Sequence, residues 1–175
     1  MKKLNLLFAF VTLLFVSCSN DDSNDNPAVI TGELTGSWSM LEYNYEGETS
    51  YEYMGQSVSS DVVGEAYEID YIWTFTETPN EVIADGAFGL EVTATSQGVS
   101  QTQDYGMVGQ YLEGTWEMEG DVITITSGEL IQEFVILEMT DTMMKLKSTI
   151  SDTQNQQGYE VTTNMTTFQT FVREE

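Results

Sequence analysis

The chain has 175 residues, with 29 acidic and five basic side chains, no histidine and a formal net charge of −24. So anionic a surface argues against binding nucleic acid or anionic headgroups, since both need basic groups to displace counterions. No histidine and a single cysteine leave the chain without the commonest zinc ligand and general base, which closes most hydrolase and metalloenzyme templates.

At the N-terminus, Lys2 and Lys3 precede the uncharged apolar run LLFAFVTLLFV at 6–16. This is the layout of an export signal. At roughly 1.5 Å per residue such a helix falls short of the ~30 Å hydrocarbon core, so cleavage is expected rather than a permanent span. The sole cysteine, Cys18, follows directly after Phe15, Val16 and Ser17. One cysteine in an exported chain can form no internal disulfide, and a free thiol there would be a liability, so lipidation explains both its presence and its solitude.

These four residues resemble the bacterial lipobox, with Phe15 where Leu is usual. The resemblance implies that Cys18 is lipidated and becomes the mature N-terminus, and that it anchors stably with more than one acyl chain. The alternative is an ordinary secretory signal ending beside a cysteine. Ser19 resembles the residue that sends lipoproteins to the outer membrane, and Asp21 and Asp22 resemble the signal by which Bacteroidota display them at the cell surface. The plainer reading of SNDDSNDNPA is a solvated tether; about twelve residues, Ser19 to Ile30, could reach up to ~40 Å when extended. DDSNDN lacks the glycine and terminal Glu of an EF-hand loop, so no metal site is expected there. The expected organisation is a signal peptide at 1–17, the lipidated Cys18 with an acidic tether to 32, and one domain over 33–175. Once the signal is removed, Lys145, Lys147 and Arg173 stand against all 29 acids, a charge of about −26. About 145 residues suffice for one real core.

From residue 36 onward the pattern alternates with period two. In YEIDYIWTFTE (67–77), Tyr67, Ile69, Tyr71, Trp73 and Phe75 share one face, as in an antiparallel strand with one buried side. TWEME and VITIT form a hairpin through Gly120-Asp121, and further turns are expected at Gly55-Gln56, Gln97-Gly98 and Thr140-Asp141. A last strand is expected between Tyr159 and Val172. DYGMVGQYLEG (104–114) is the one place for a helical turn or a closing loop. Nine or ten strands in sequence order suggest a meander, sandwich or barrel.

Gly36-Ser37-Trp38, within ELTGSW, opens the first strand; GTWEMEGDVITIT repeats the Gly-x-Trp at Gly114 and Trp116, and ILEMTDTMMKLK follows. This ensemble resembles the lipocalin-like lipoproteins of Bacteroidota, whose first strand carries Gly-x-Trp. The resemblance covers roughly 33–172 and implies an all-β fold, an antiparallel up-and-down β-barrel of about 8–10 strands with an indole packed across its floor. Departures from classical lipocalins are the lack of a C-terminal helix, of a disulfide and of a basic residue placed against Trp38.

Trp38, Tyr43, Tyr71, Trp73, Phe75 and Trp116 are the candidate lining of a barrel cavity; the alternative is that they fill it. The acidic pairs Glu117/Glu119 and Glu68/Asp70 lie on outward faces where nothing desolvates them, so no catalytic residue, cofactor or metal is assigned. Three functions remain open. One is a surface carrier or sensor for a small hydrophobic ligand, touching the membrane only through its lipid. Another is a filled barrel that binds an outer-membrane protein partner. An enzyme is the disfavoured third, and a cavity of several hundred Å3 would separate the first from the second.

Overall fold

The structure, a computed structural model, describes residues 28–53, 55–156 and 159–175. The expected signal sequence and Cys18 lie outside the described residues. Nine strands follow in order: β1 (Val29–Ile30), β2 (Gly36–Tyr53), β3 (Gln56–Thr76), β4 (Glu81–Ser96), β5 (Val99–Glu119), β6 (Val122–Ser127), β7 (Leu130–Met139), β8 (Met143–Gln156) and β9 (Tyr159–Arg173). Strands β2 to β9 each pair antiparallel with the next, β9 returns to β2, and the ring closes as an eight-stranded up-and-down barrel. No helix occurs among the described residues. Strand β1 runs parallel to the end of β7, pairing Val29 with Glu138 and Ile30 with Met139.

Turn chemistry explains the hairpins. Gln97 and Gly98 both have positive φ (51° and 78°), the conformation that matches the right-handed twist of flanking strands in a two-residue hairpin. Segments that read as separate strands merge, because β-bulges let one long strand bend without ending. One bulge corrects the expected facing in β3. The register shifts between Tyr67 and Asp70, with Glu68 at φ 49°, so Tyr71, Trp73 and Phe75 are buried while Tyr67 is exposed. Its hydroxyl donates to Asp104 at 2.7 Å. A second correction concerns 104–114, which is neither helix nor loop but part of β5. Gly106, at φ 66°, donates its N–H to the same Asp104 carboxylate and absorbs the extra residues of a bulge opposite Gly89 and Glu91.

The core fills the lower barrel. Trp38, Phe75, Val82, Ile123, Ile125, Phe134, Ile136, Met139, Met144, Leu146 and Phe171 are all essentially inaccessible to solvent. The Trp38 indole donates to the Leu34 carbonyl at 2.8 Å, and Leu34 caps the base from outside the ring. Contrary to the sequence expectation, a basic residue does close this base. Strand pairing sets Arg173 opposite Trp38, and the guanidinium lies 4.2 Å from the indole centroid. It also donates to the carbonyls of Thr35 (2.6 Å), Asp141 (2.7 Å) and Glu33. At Gly36 φ is +125°, a backbone conformation that favours glycine, and a Cβ there would also displace the Arg173 guanidinium 2.5 Å away.

The wall is uneven in height. Strands β6 and β7 pair only through Val122–Ser127 and Leu130–Val135, whereas β2 and β3 remain paired out to Tyr53 and Gln56. At about 3.3 Å per residue, a six-residue strand spans on the order of 20 Å and a 21-residue strand more than three times that. Six strands therefore rise beyond the closed part as an open, twisted sheet.

Candidate functional site

Where the short strands end, the barrel interior opens into a cup of about 310 Å3. Six strands supply its lining: Met40 and Tyr43 from β2, Tyr71 and Trp73 from β3, Phe88 from β4, Gln110, Tyr111 and Leu112 from β5, Leu130, Gln132 and Phe134 from β7, and Gln169 from β9. Three larger depressions, about 520 Å3 around Gly47 and Val62, about 560 Å3 between Leu130 and Ile150 and about 340 Å3 beside Ile83 and Gly114, are walled mainly by exposed side chains. The cup differs from these in resting on buried side chains, Met40, Tyr71, Trp73, Phe88, Phe134 and Gln169, with exposed Tyr111 and Leu130 at its rim, so its inner wall is preformed as a small-molecule site requires.

Aromatic rings organise its wall. Tyr43 packs on Phe88 with centroids 5.3 Å apart, and Tyr71 meets Phe88 edge-on at 6.0 Å. Trp73 joins cup to floor, contacting Phe134 at 5.3 Å, Phe171 at 5.2 Å and Phe75 at 5.9 Å. No lining residue is charged. Burial, with a smaller contribution from Tyr71, raises the Tyr43 pKa. Burial also raises that of Tyr71, opposed by hydrogen bonding from the Trp73 indole N–H and reinforced by the negative charge of Asp85. Both phenols are therefore neutral at physiological pH and can donate or accept hydrogen bonds.

Of the candidate lining residues, the structure brings Tyr43, Tyr71 and Trp73 together in the cup. Trp38, Phe75 and Trp116 lie below it, in the packed floor. Phe75 pairs with Gly36, two residues toward the base from the Trp38–Trp73 pair, and Trp116 meets Phe75 edge-on at 6.1 Å. The Trp116 indole donates to the Thr76 carbonyl at 3.0 Å. Gly114 lets β6 approach closely, since a Cβ there would collide with the Thr126 carbonyl. Both Gly-x-Trp copies thus serve the floor.

Sequence reasoning missed a polar part of the barrel interior, of which Gln169 and Gln132 line the cup. Gln169, Thr167 and Ser148 are buried on β9 and β8; Ser148 and Thr167 hydroxyls bond at 3.0 Å, and Gln132 reaches Ser148 at 3.4 Å. In TTFQTFV the two phenylalanines, Phe168 and Phe171, fall on opposite phases of the alternation, so it could not reveal that Gln169 faces inward. The available signal was Phe171 itself, which fixes the phase once it is taken as core. Among the described residues, no cluster of three or more His, Cys, Asp or Glu could hold a metal ion.

No curated protein and no solved structure matches the chain. A model of the lipocalin-like domain family matches residues 34–146, from the Leu34 cap through β2 to the first half of β8. With an eight-stranded antiparallel ring, an indole across the floor and a cup above it, the chain belongs to the lipocalin-like domain family.

Proposed function

We propose that this domain is a carrier or sensor that holds a small hydrophobic molecule in the cup, and that the acidic tether and a lipid on Cys18 fix it to the outer membrane of a Bacteroidota-type cell, facing outward. The observation that supports ligand holding is the cup itself: about 310 Å3, walled by Met40, Tyr43, Tyr71, Trp73 and Phe88, above a floor that needs none of that space for packing. The volume lies at the lower end of small-ligand pockets. The family also supports it, since its barrel is a ligand-binding fold. No catalytic role is assigned, because the wall presents no charged group to act as acid, base or nucleophile.

Native mass spectrometry on the protein recovered gently from its own cell envelope tests this reading. A reproducible adduct of roughly a few hundred daltons is the expected result; a bare mass from every preparation overturns it. For the anchor, Cys18→Ala should release the protein from membranes and leave its signal uncleaved, and unchanged fractionation would contradict lipidation.

A second reading, a module that docks an outer-membrane protein, is favoured by one feature. Beyond Gly114 and Ser148 no described strand pairs with the outer edges of β5 and β8, and Leu130, Ile131 and Ile150 are exposed beside the second edge. Co-purification of a stoichiometric protein partner in the same spectra would move the assignment to this reading.

A further inference from the structure

The upper sheet ends in two free edges, and they are not alike. Among the described residues no strand pairs with β5 on its β6 side before Thr115, or with β8 on its β7 side after Lys147. The β5 edge is protected in the manner of natural edges: a bulge at Gly106 bends it, and Asp104 and Glu113 set charge along it. The β8 edge has no such protection. Its register with β9 runs without a bulge from Met143 to Gln156, and the stretch STISDTQNQ (148–156) holds no lysine, no proline and one charge, Asp152. A straight, uncovered edge offers a row of backbone hydrogen-bonding groups to an incoming strand.

The space for that strand is present. The depression of about 560 Å3 is lined by residues 130–133 of β7 and 149–151 of β8. Consecutive residues of both strands line it, so it is a gap between the strands, which part above the Val135–Lys147 pair. Side chains set what fits there. Ser148 is buried in the barrel, so alternation puts Ile150 and Asp152 on that same face, and Ile150 is exposed together with Leu130 and Ile131 across the gap. Asp152 accepts from Gln154 at 2.6 Å and has no basic partner among the described residues: Lys145 pairs with Glu138, Lys147 lies at the last β7–β8 pair and Arg173 at the base. A second copy of this chain is a poor occupant. Antiparallel overlap of two 148–156 edges along their full length would set Asp152 against Asp152, between chains that each carry a net −24.

We infer that the β8 edge takes an extended segment of a different protein, added antiparallel, in which a basic residue meets Asp152 and an apolar residue two positions later meets Ile150. Antiparallel addition is the more stable pairing, and the positions opposite Ser151 and Thr153 suit hydroxyl side chains. This inference rests on the docking reading, to which it adds the edge used and the chemistry of the strand, and it is independent of what fills the cup.

Two blocked heptapeptides, TTTKTVT and TTTETVT, test it in 15N NMR titrations of the protein, with amide hydrogen exchange read on the same samples. TTTKTVT should shift and protect amides within 148–156 and bind about fivefold or more tightly than TTTETVT, because opposite charges across a strand pair attract and like charges repel. Asp152→Lys, at an exposed position, should abolish or reverse that preference while the rest of the spectrum reports an intact fold. Shifts confined to another surface, or a preference for TTTKTVT that survives Asp152→Lys, would overturn the inference. No shift with either peptide at about millimolar concentration would overturn it too, while the docking reading would still be decided by co-purification of a partner.

Discussion

Below the level of Met40 every strand has two neighbours and inward side chains meet across the barrel; above it, six strands continue without β6 and β7. Alternating strands build both regions. In the lower one, Trp38, Phe75, Phe134 and Phe171 exclude water, and Arg173 ties the lead-in segment to the β7–β8 turn. In the upper one, Thr93 with Thr102, Thr95 with Ser100 and Thr153 with Thr162 pair their hydroxyls across exposed strands, at 2.8, 2.8 and 3.1 Å. Stability therefore resides in the floor, and the upper sheet is held by backbone ladders and small cross-strand pairs. The cup lies where one regime gives way to the other, which suits a site that must be both preformed and accessible.

The largest expected effect is at the base. Trp38→Ala removes a fully buried indole, its bond to Leu34 and the surface on which Arg173 rests; urea denaturation should show a loss of about 3–5 kcal/mol. A loss under about 1 kcal/mol would mean that the floor is not the main core. Arg173→Met keeps an apolar stem over the indole but leaves three backbone carbonyls without their charged donor, and should lower stability by about 1–3 kcal/mol.

Alkaline titration probes the boundary region. The pKa values of Tyr43 and Tyr71 are raised in the folded protein, chiefly by burial, so the unfolded chain loses these protons first. Their contribution is intact below the ordinary phenol value of about 10 and falls as pH rises from there through the folded values. Replacing both with Phe should flatten that part of the decline in a pH series of melting temperatures. An unchanged slope would show that neither phenol is buried as described. The smallest effect belongs to the upper sheet: Thr153→Ala should change stability by less than about 0.5 kcal/mol. A loss comparable to Trp38→Ala would erase the distinction between the regions.

The floor was more legible in the sequence than the cup. Gly36, Trp38, Gly114 and Trp116 carry the family pattern, and the turns at Gly55, Gln97-Gly98, Gly120-Asp121 and Thr140-Asp141 follow from local backbone preferences. What escaped depends on pairings far apart in the chain. Arg173 meets Trp38 only because β9 returns to β2, and no local pattern encodes that contact. Bulges at Glu68 and Gly106 shift the facing by a residue, so alternation misplaced Tyr67 and obscured the continuity of β5. The place of Trp73 between cup and floor is a property of packing, since Trp73 shares its strand face with Tyr71 and Phe75 and reads like either of them.

The central claim is that the barrel is packed at its floor and open to a ligand in the cup above it. The three indole N–H signals in an 15N-edited NMR spectrum, assigned by Trp→Phe variants, test it most directly. Trp38 and Trp116 are expected to stay fixed on addition of 2-methylnaphthalene, while Trp73, whose side chain lines the cup, shifts. Three signals that ignore the probe, or a shift confined to Trp38 or Trp116, would contradict it.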